Sequence, residues 1–342
     1  MRFFLVLAVF CFVFSVTAAH AAEPAWPIYW VKQTKSSPAV MNTTPSEKVF
    51  NGATPESVAQ FNISASDSNS ASCKVSEGFF FERIKNHAAT GKPMIVFLHG
   101  CCSDERANLA KARELATKCS MPVIMFRWPA FGFAGTDYGA NEIVLNRCQG
   151  RALKFLDELE AVLPAKQTIL IGHSMGTRVL IEALDRRSDR LKTLLNPPYR
   201  MSILAAADAE AETFCQEISD IARGSTLTVV LLHKSDKALF CSRQLHQQFP
   251  RLGEFGQVNF KDSKDHRLQI FDVSALALAP VNHGLAVDVI STLVKRQDAP
   301  FGFVCSNYYT TKLRDNIWTV STKPSPLRLK FDPNRVLVKP RN

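Results

Sequence analysis

Thr168-Ile-Leu-Ile-Gly-His-Ser-Met-Gly-Thr-Arg-Val-Leu-Ile-Glu-Ala-Leu184 is the stretch on which the reading of this chain turns. A short apolar run, Thr168 to Ile171, leads straight into Gly172-His173-Ser174-Met175-Gly176, and a helical pattern opens at once behind it. A serine on so tight a strand-to-helix turn takes strained backbone angles, and a side chain at either glycine would strike the neighbouring strand or helix. Its hydroxyl then stands at a helix N-terminus, where developing negative charge is favoured. A bare Gly-x-Ser-x-Gly is a weak signal. The flanking strand and helix make Ser174 a candidate nucleophile rather than an incidental turn residue.

Around this turn the chain alternates short apolar runs with helix-length amphipathic segments. Strands are expected at Met94 to Leu98, Val123 to Trp128, Thr168 to Ile171, Met201 to Ala206, Leu227 to Leu232 and Leu268 to Val273. Helices are expected between them, notably Glu142 to Val162, Gly176 to Arg186 and Lys237 to Gln248. That order predicts an α/β fold, with a mostly parallel central sheet and helices on both faces. The connection from Ala206 to Leu227 is too short for a large cap domain. In such sheets the functional groups sit beyond the carboxyl ends of the strands, which filters the candidates.

A serine hydroxyl needs a base to take its proton and an acid to orient that base. With the nucleophile on this kind of turn, the partners follow as acid and then histidine, which leaves His246, His266 and His283. His246 falls within a helix, and His266 lies in a charged loop at the wrong end of the last strand. His283, in Ala279-Pro-Val-Asn-His-Gly284, follows that strand and is the candidate base. Asp236, just past Leu231-Leu-His-Lys-Ser235, is the candidate acid, and Asp208, which ends the intervening strand, is the alternative. Either aspartate could instead cap a helix. Oxyanion donors are expected at the backbone N–H of Met175 and, in the loop His99-Gly100-Cys101-Cys102, at that of Cys101. Phe131, Phe133 and Tyr138 either wall an acyl pocket or pack beneath a loop.

With these residues in view, the chain resembles the α/β-hydrolase superfamily and, within it, a bacterial family of uncharacterised hydrolases. The marks are Val96-Phe-Leu-His-Gly100, Phe126-Arg-Trp-Pro129, Ile171-Gly-His-Ser-Met-Gly-Thr-Arg-Val-Leu180, and the segment from Ser235-Asp-Lys-Ala-Leu239 to Ser242-Arg-Gln-Leu-His246. They span roughly residues 93–305. The last segment looks like the family's acid-bearing loop and so implies Asp236 over Asp208. The histidine region departs from the family's Gly-His-Ser-like setting, reading Asn282-His283-Gly284. The resemblance implies an α/β-hydrolase fold and brings no substrate with it.

With 342 residues, 46% of them hydrophobic, the chain can bury a large core. Residues 1–21 read as a signal peptide: Arg2, an apolar run from Phe3 to Val16, and Ala19-His20-Ala21 as the cleavage site. An uncleaved anchor is the other reading. Residues 22–90 read as an N-terminal extension with a serine-rich linker at Asn62 to Ser72, residues 91–305 as the α/β-hydrolase domain, and residues 306–342 as a basic C-terminal extension. Export to the periplasm or medium is expected, and with it disulfides among the eight cysteines left after Cys11, one of them from the Cys101-Cys102 loop. No Cys-x-x-Cys pair suggests zinc, and no metal or cofactor is expected.

The formal charge of +10 gathers in part at the end of the chain, where residues 322–342 hold six basic residues against one acid. That tail reads as solvated, able to touch an anionic surface weakly, with a small hairpin between Leu327 and Val338. No nucleic-acid partner is expected. The residues therefore lead to an exported serine hydrolase acting on a carboxylic ester or thioester, a small molecule or a lipid. An acyltransferase with the same triad, or a binding protein keeping only the fold, stand as alternatives.

Overall fold

Buried runs of aliphatic residues set the frame of the computed structural model, which describes residues 26–33, 61–67, 73–132, 137–193, 198–254, 267–279, 281–295, 309–314 and 317–321. Among these residues one sheet has eleven strands: β1 (Pro27–Gln33), β2 (Phe61–Asp67), β3 (Cys73–Val75), β4 (Met94–Leu98), β5 (Val123–Arg127), β6 (Thr168–His173), β7 (Met201–Ala205), β8 (Thr228–Leu232), β9 (Leu268–Asp272), β10 (Tyr309–Arg314) and β11 (Ile317–Ser321). Their order is β10-β11-β9-β8-β7-β6-β4-β5-β1-β2-β3. The eight from β11 to β1 run parallel, and β2, β3 and β10 close the two edges antiparallel.

Parallel strands buried on both faces are continuously apolar, and alternate residues serve the two sides. In β4, Met94, Val96 and Leu98 face one core, while Ile95 and Phe97 face the other. The first core is covered by α1 (Glu77–Ala89), α3 (Tyr138–Glu160), α4 (Gly176–Thr193), α5 (Ala211–Gln216) and α6 (Ile218–Arg223). The second is covered by α2 (Glu105–Cys119) and α8 (Val287–Lys295), which pack against each other. The short α7 (Lys237–Leu245) follows β8. This is the α/β-hydrolase architecture expected from the alternation. The two short helices α5 and α6 fill the β7 to β8 connection, and no large cap is evident among the described residues.

Two segments read as extensions join the sheet. β1 pairs in parallel with β5, and Ile28, Tyr29 and Val31 are buried in the core, with Tyr29 edge-on to Phe80 at 5.5 Å. The stretch read as a serine-rich linker supplies β2 over Phe61–Asp67, since alternating small and branched residues satisfy a ladder as readily as a loop. At the other end β11 pairs with β9 and buries Trp318, whose indole N–H donates to the Gln269 side chain at 3.0 Å, and Val320. The signal segment, the basic stretch 322–342 with its expected hairpin, His266 and Phe133 lie outside the described residues. No helix among the described residues is long and apolar enough to cross a membrane.

The topology also locates a crevice. From β4 the chain goes outward to β5, then returns to lay β6 on the opposite side of β4. The carboxyl ends of β4 and β6 therefore flank a topological switch point, where open α/β sheets bind ligands. His99-Gly100 leaves one of these ends and Ser174 the other.

A dispensable extension and a core strand respond differently to truncation. Ile28→Ala is expected to destabilise the folded protein by about 2–4 kcal/mol in denaturant titrations. A change below about 0.5 kcal/mol would remove β1 from the core.

Candidate active site

Ser174 is a non-glycine residue at φ 54°, the strained turn its setting requires. Its N–H donates to the Ala205 carbonyl at 3.0 Å, and its own carbonyl accepts from the N–H groups of Thr177 and Asp208 at 3.0 and 3.3 Å. The turn is thereby fixed to β7 and to the start of α4. The glycines around it exist for contact. A Cβ on Gly172 would lie 2.9 Å from the Cα of Thr177, and one on Gly176 would strike the carbonyl oxygens of Leu98 and His99. On the facing loop, a Cβ on Gly100 would sit 2.7 Å from the Cβ of Ser174. The loop after β4 and the turn after β6 are thus in direct backbone contact.

Asp236 and His283 meet across the strand ends. His283 Nδ1 is 2.7 Å from Asp236 Oδ2, and the carboxylate is wholly buried. The second oxygen of Asp236 accepts from the Leu239 N–H at 2.9 Å, capping α7. Both readings of this aspartate, cap and acid partner, describe one geometry. The histidine loop is held by its backbone as well: the Lys237 N–H donates to the Val281 carbonyl at 3.1 Å, and His173 Nε2 donates to the His283 carbonyl at 2.9 Å. Burial holds the His173 imidazole well below its ordinary pKa, with the charge of Lys111 adding to the effect. A neutral ring with its proton on Nε2 is what this bond requires.

Asp208 occupies a different setting. Its carboxylate accepts from Arg251 Nε at 2.9 Å, Ser242 Oγ at 2.6 Å and the Tyr138 hydroxyl at 2.5 Å, with Arg178 3.7 Å away. Burial alone would raise its pKa, yet the two guanidiniums and two hydroxyls hold it below the ordinary carboxylate range. No described histidine bonds to it. His246, one turn from Ser242, joins the rim of the same cluster through Glu142 at 2.9 Å. Both aspartates follow strands, and their surroundings differ: Asp236 meets His283, whereas Asp208 is enclosed by Arg178 from α4 and Arg251 from the loop after α7.

The loop after β4, the expected place of an oxyanion donor, is shaped by His99. Its Nδ1 donates to the Gly100 carbonyl at 2.7 Å, and burial holds its pKa down at about 3, so the ring is neutral. Trp128 stacks on it at 5.3 Å and donates its indole N–H to the His99 carbonyl at 2.9 Å. Because a trans peptide sets C=O and N–H in opposite directions, fixing the Gly100 carbonyl toward His99 turns the Cys101 N–H the other way. Cys102 follows at φ 59°. Cys101 and Cys102 are free thiols, so the disulfide expected from this loop is not formed. Cys101 donates instead to the Cys102 sulfur, which pushes the Cys101 thiol up and lowers that of Cys102.

Ser174, His173 and His283 line a cavity of about 340 Å³, together with Tyr138, Lys111 and the apolar side chains of Leu239, Leu245 and Val281. The apolar wall thus comes from α7 and the histidine loop. Phe131, expected there, is 41% exposed and does not line the cavity, because Asn141 holds both its N–H and its carbonyl at the start of α3. Tyr138 does line it, with its hydroxyl committed to Asp208 and Ser242. The sequence reading missed the tie from His173 to the histidine loop, and Lys111. The first was signalled by a histidine within the turn itself; the second had no motif, being a single lysine on a helix.

A family model described as an alpha/beta hydrolase of unknown function (DUF900) matches residues 77–288, more than half of the chain. The match runs from α1 into α8, starting and ending earlier than the marks in the sequence suggested, and omits the edge strands at both ends. No curated protein matches the chain.

The role of Asp208 makes a sharp expectation. Asp208→Asn leaves Arg251 buried with its partner's charge removed, and is expected to lower stability by about 3 kcal/mol. Thermal and denaturant unfolding measure it, and a cost under about 1 kcal/mol would mean the cluster is not structural.

Proposed function

The chain belongs to this family of α/β hydrolases of unknown function, and we propose that it is an exported serine hydrolase, opening a carboxylic ester or thioester through an acyl-enzyme on Ser174. The observation that carries the reading is the 2.7 Å pair of buried Asp236 with His283, the histidine lining one cavity with a serine on a strained turn. Asp236 engages Nδ1, which leaves Nε2 of His283 to take the serine proton. The serine oxygen attacks the carbonyl carbon. The charge that develops on the carbonyl oxygen is met by the N–H of Met175, beside the N-terminus of α4, and by that of Cys101. His283 then passes its proton to the departing alcohol or thiol, and water repeats the sequence to release the acid.

Two features support the division of labour. The contact of Gly100 with Ser174 brings the Cys101 loop beside the nucleophile, and the His99 bond turns its amide away from the core histidine. The apolar wall of Leu239, Leu245 and Val281 suits an acyl chain of modest size in a cavity of about 340 Å³. Export rests on the sequence of residues 1–21 alone.

A fluorophosphonate probe tests the nucleophile directly. Wild-type protein is expected to take one adduct, and Ser174→Ala none, with no loss of folded structure. Asp236→Asn, which can still cap α7, is expected to lower kcat about 100-fold or more, while changing stability by less than about 1 kcal/mol. Labelling that persists in Ser174→Ala, or turnover undiminished in Asp236→Asn, would falsify the assignment. Hydrolysis assays run with an added alcohol acceptor separate water from an alcohol as the second substrate.

A further inference from the structure

Lys111 stands on α2, on the wall of the cavity that holds Ser174. A second cavity of about 370 Å³ adjoins the first, and Lys111 and His283 line both. Lys111 is partly buried, and that burial lowers the pKa of its ammonium. Its charge also contributes to holding His99 and His173 neutral, which puts it within electrostatic reach of the turn and the oxyanion loop.

Lys111 lines the Ser174 cavity partly buried and without a carboxylate partner among the described residues. Among the described residues Lys118 pairs with Asp288 at 3.0 Å, Arg127 with Glu105 at 3.1 Å, and Arg251 with Asp208 at 2.9 Å, but no carboxylate pairs with Lys111. The candidates nearby are spoken for or elsewhere. Asp208 is the one carboxylate lining the Ser174 cavity among the described residues, and four partners already surround it. Asp288 is held by Lys118. Glu114 lines the second cavity at its exposed side and makes no ion pair with Lys111. The exposed Lys237 adds a second cation to the Ser174 cavity. Removing an ammonium from water is costly unless an opposite charge replaces the lost hydration. A cleft that keeps a lysine half-desolvated and uncompensated therefore gains most when an anion enters it.

The layout gives the anion a side. On the proposed reading an acyl chain would lie along Leu239 and Leu245, and the departing group by His283, which would protonate it. His283 and Lys111 mark the border with the second cavity. Resting on the reading of Ser174 as nucleophile, we infer that Lys111 determines specificity, binding a carboxylate or phosphate carried by the alcohol portion of the ester. The substrate class is then an anionic ester: an apolar acyl group joined to an alcohol that bears a negative charge.

Binding to unreactive amide analogues tests this without turnover. In a Ser174→Ala background of the full chain, calorimetry compares 4-butanamidobenzoate and 4-butanamidophenyl phosphate with neutral butyranilide. At least one anion is expected to bind about tenfold or more tightly than butyranilide, and the better of the two identifies the group. Lys111→Met should abolish that preference and leave butyranilide within about twofold, while Lys111→Arg should keep it. The inference is overturned if neither anion is preferred, if Lys111→Met retains the preference, or if Lys111→Met weakens all three alike, as a lysine stem that merely covers apolar surface would. The hydrolase reading fails on its own ground, through absent fluorophosphonate labelling, whatever the calorimetry gives.

Discussion

The loop after β4 and the turn after β6 touch backbone to backbone, and the arrangement of the crevice follows from that contact. Gly100 lies where any side chain would meet the Cβ of Ser174, and Gly176 lies where one would meet the carbonyls that end β4. Neighbouring parallel strands are about 4.8 Å apart, so two loops leaving adjacent strand ends are brought together only if the residues between them have no bulk. The register pairs Leu98 with Gly172, which sets the two loops at the same height above the sheet. Ser174, held at positive φ between them, has its carbonyl tied down and its side chain at the crevice.

Two buried histidines then transmit this contact outward. His99, flattened against Trp128, fixes the peptide that follows Gly100, and His173 reaches the carbonyl of His283. Each ring is kept neutral by burial, and a neutral ring offers one donor in a defined direction. Among the described residues neither ring has a protein partner for its other nitrogen, His99 Nε2 and His173 Nδ1. An unsatisfied buried acceptor is a sacrifice of order 1–3 kcal/mol, which indicates how much of the local geometry is given over to orientation. The clamps come from strand ends that are far apart in sequence, yet converge within a few residues of Ser174.

Much of this could be seen before any coordinates. Six parallel strands and the turn at Ser174 follow from apolar runs, glycine spacing and helical periodicity, because both faces of a parallel sheet are buried and leave little freedom in composition. The edges were harder. Phe61–Asp67 is short, rich in serine and small residues, and reads as readily as a linker, while the ladder it joins between β1 and β3 is made of backbone bonds that composition does not announce. Trp318 and Val320 alternate correctly, but five residues beside a basic tail carry little signal. In the crevice, Asp236 and Asp208 both end strands, and only their neighbours differ: a histidine and a helix N-terminus for one, two arginines for the other. Of the two readings open for Phe131, the acyl wall is the one it does not take among the cavity's lining residues. Asn141 grips its backbone and turns the loop outward, a contact ten residues away that no periodicity announces.

The double engagement of Asp236 has a further consequence for how such a site can change over generations. One oxygen closes the first turn of α7 while the other meets His283, so the side-chain length is set by two distances at once. A glutamate would overreach the cap, and an asparagine would keep the cap while surrendering the charge. Relocating the carboxylate to another strand would require the chain first to find a new residue to begin α7, or lose the helix whose Leu239 and Leu245 form the apolar wall. Drift at this position is therefore opposed twice over, by the cap and by the pairing with His283. The more permissive route to new substrates lies in the outward residues of α7 and α2, whose side chains face the crevice without holding its frame.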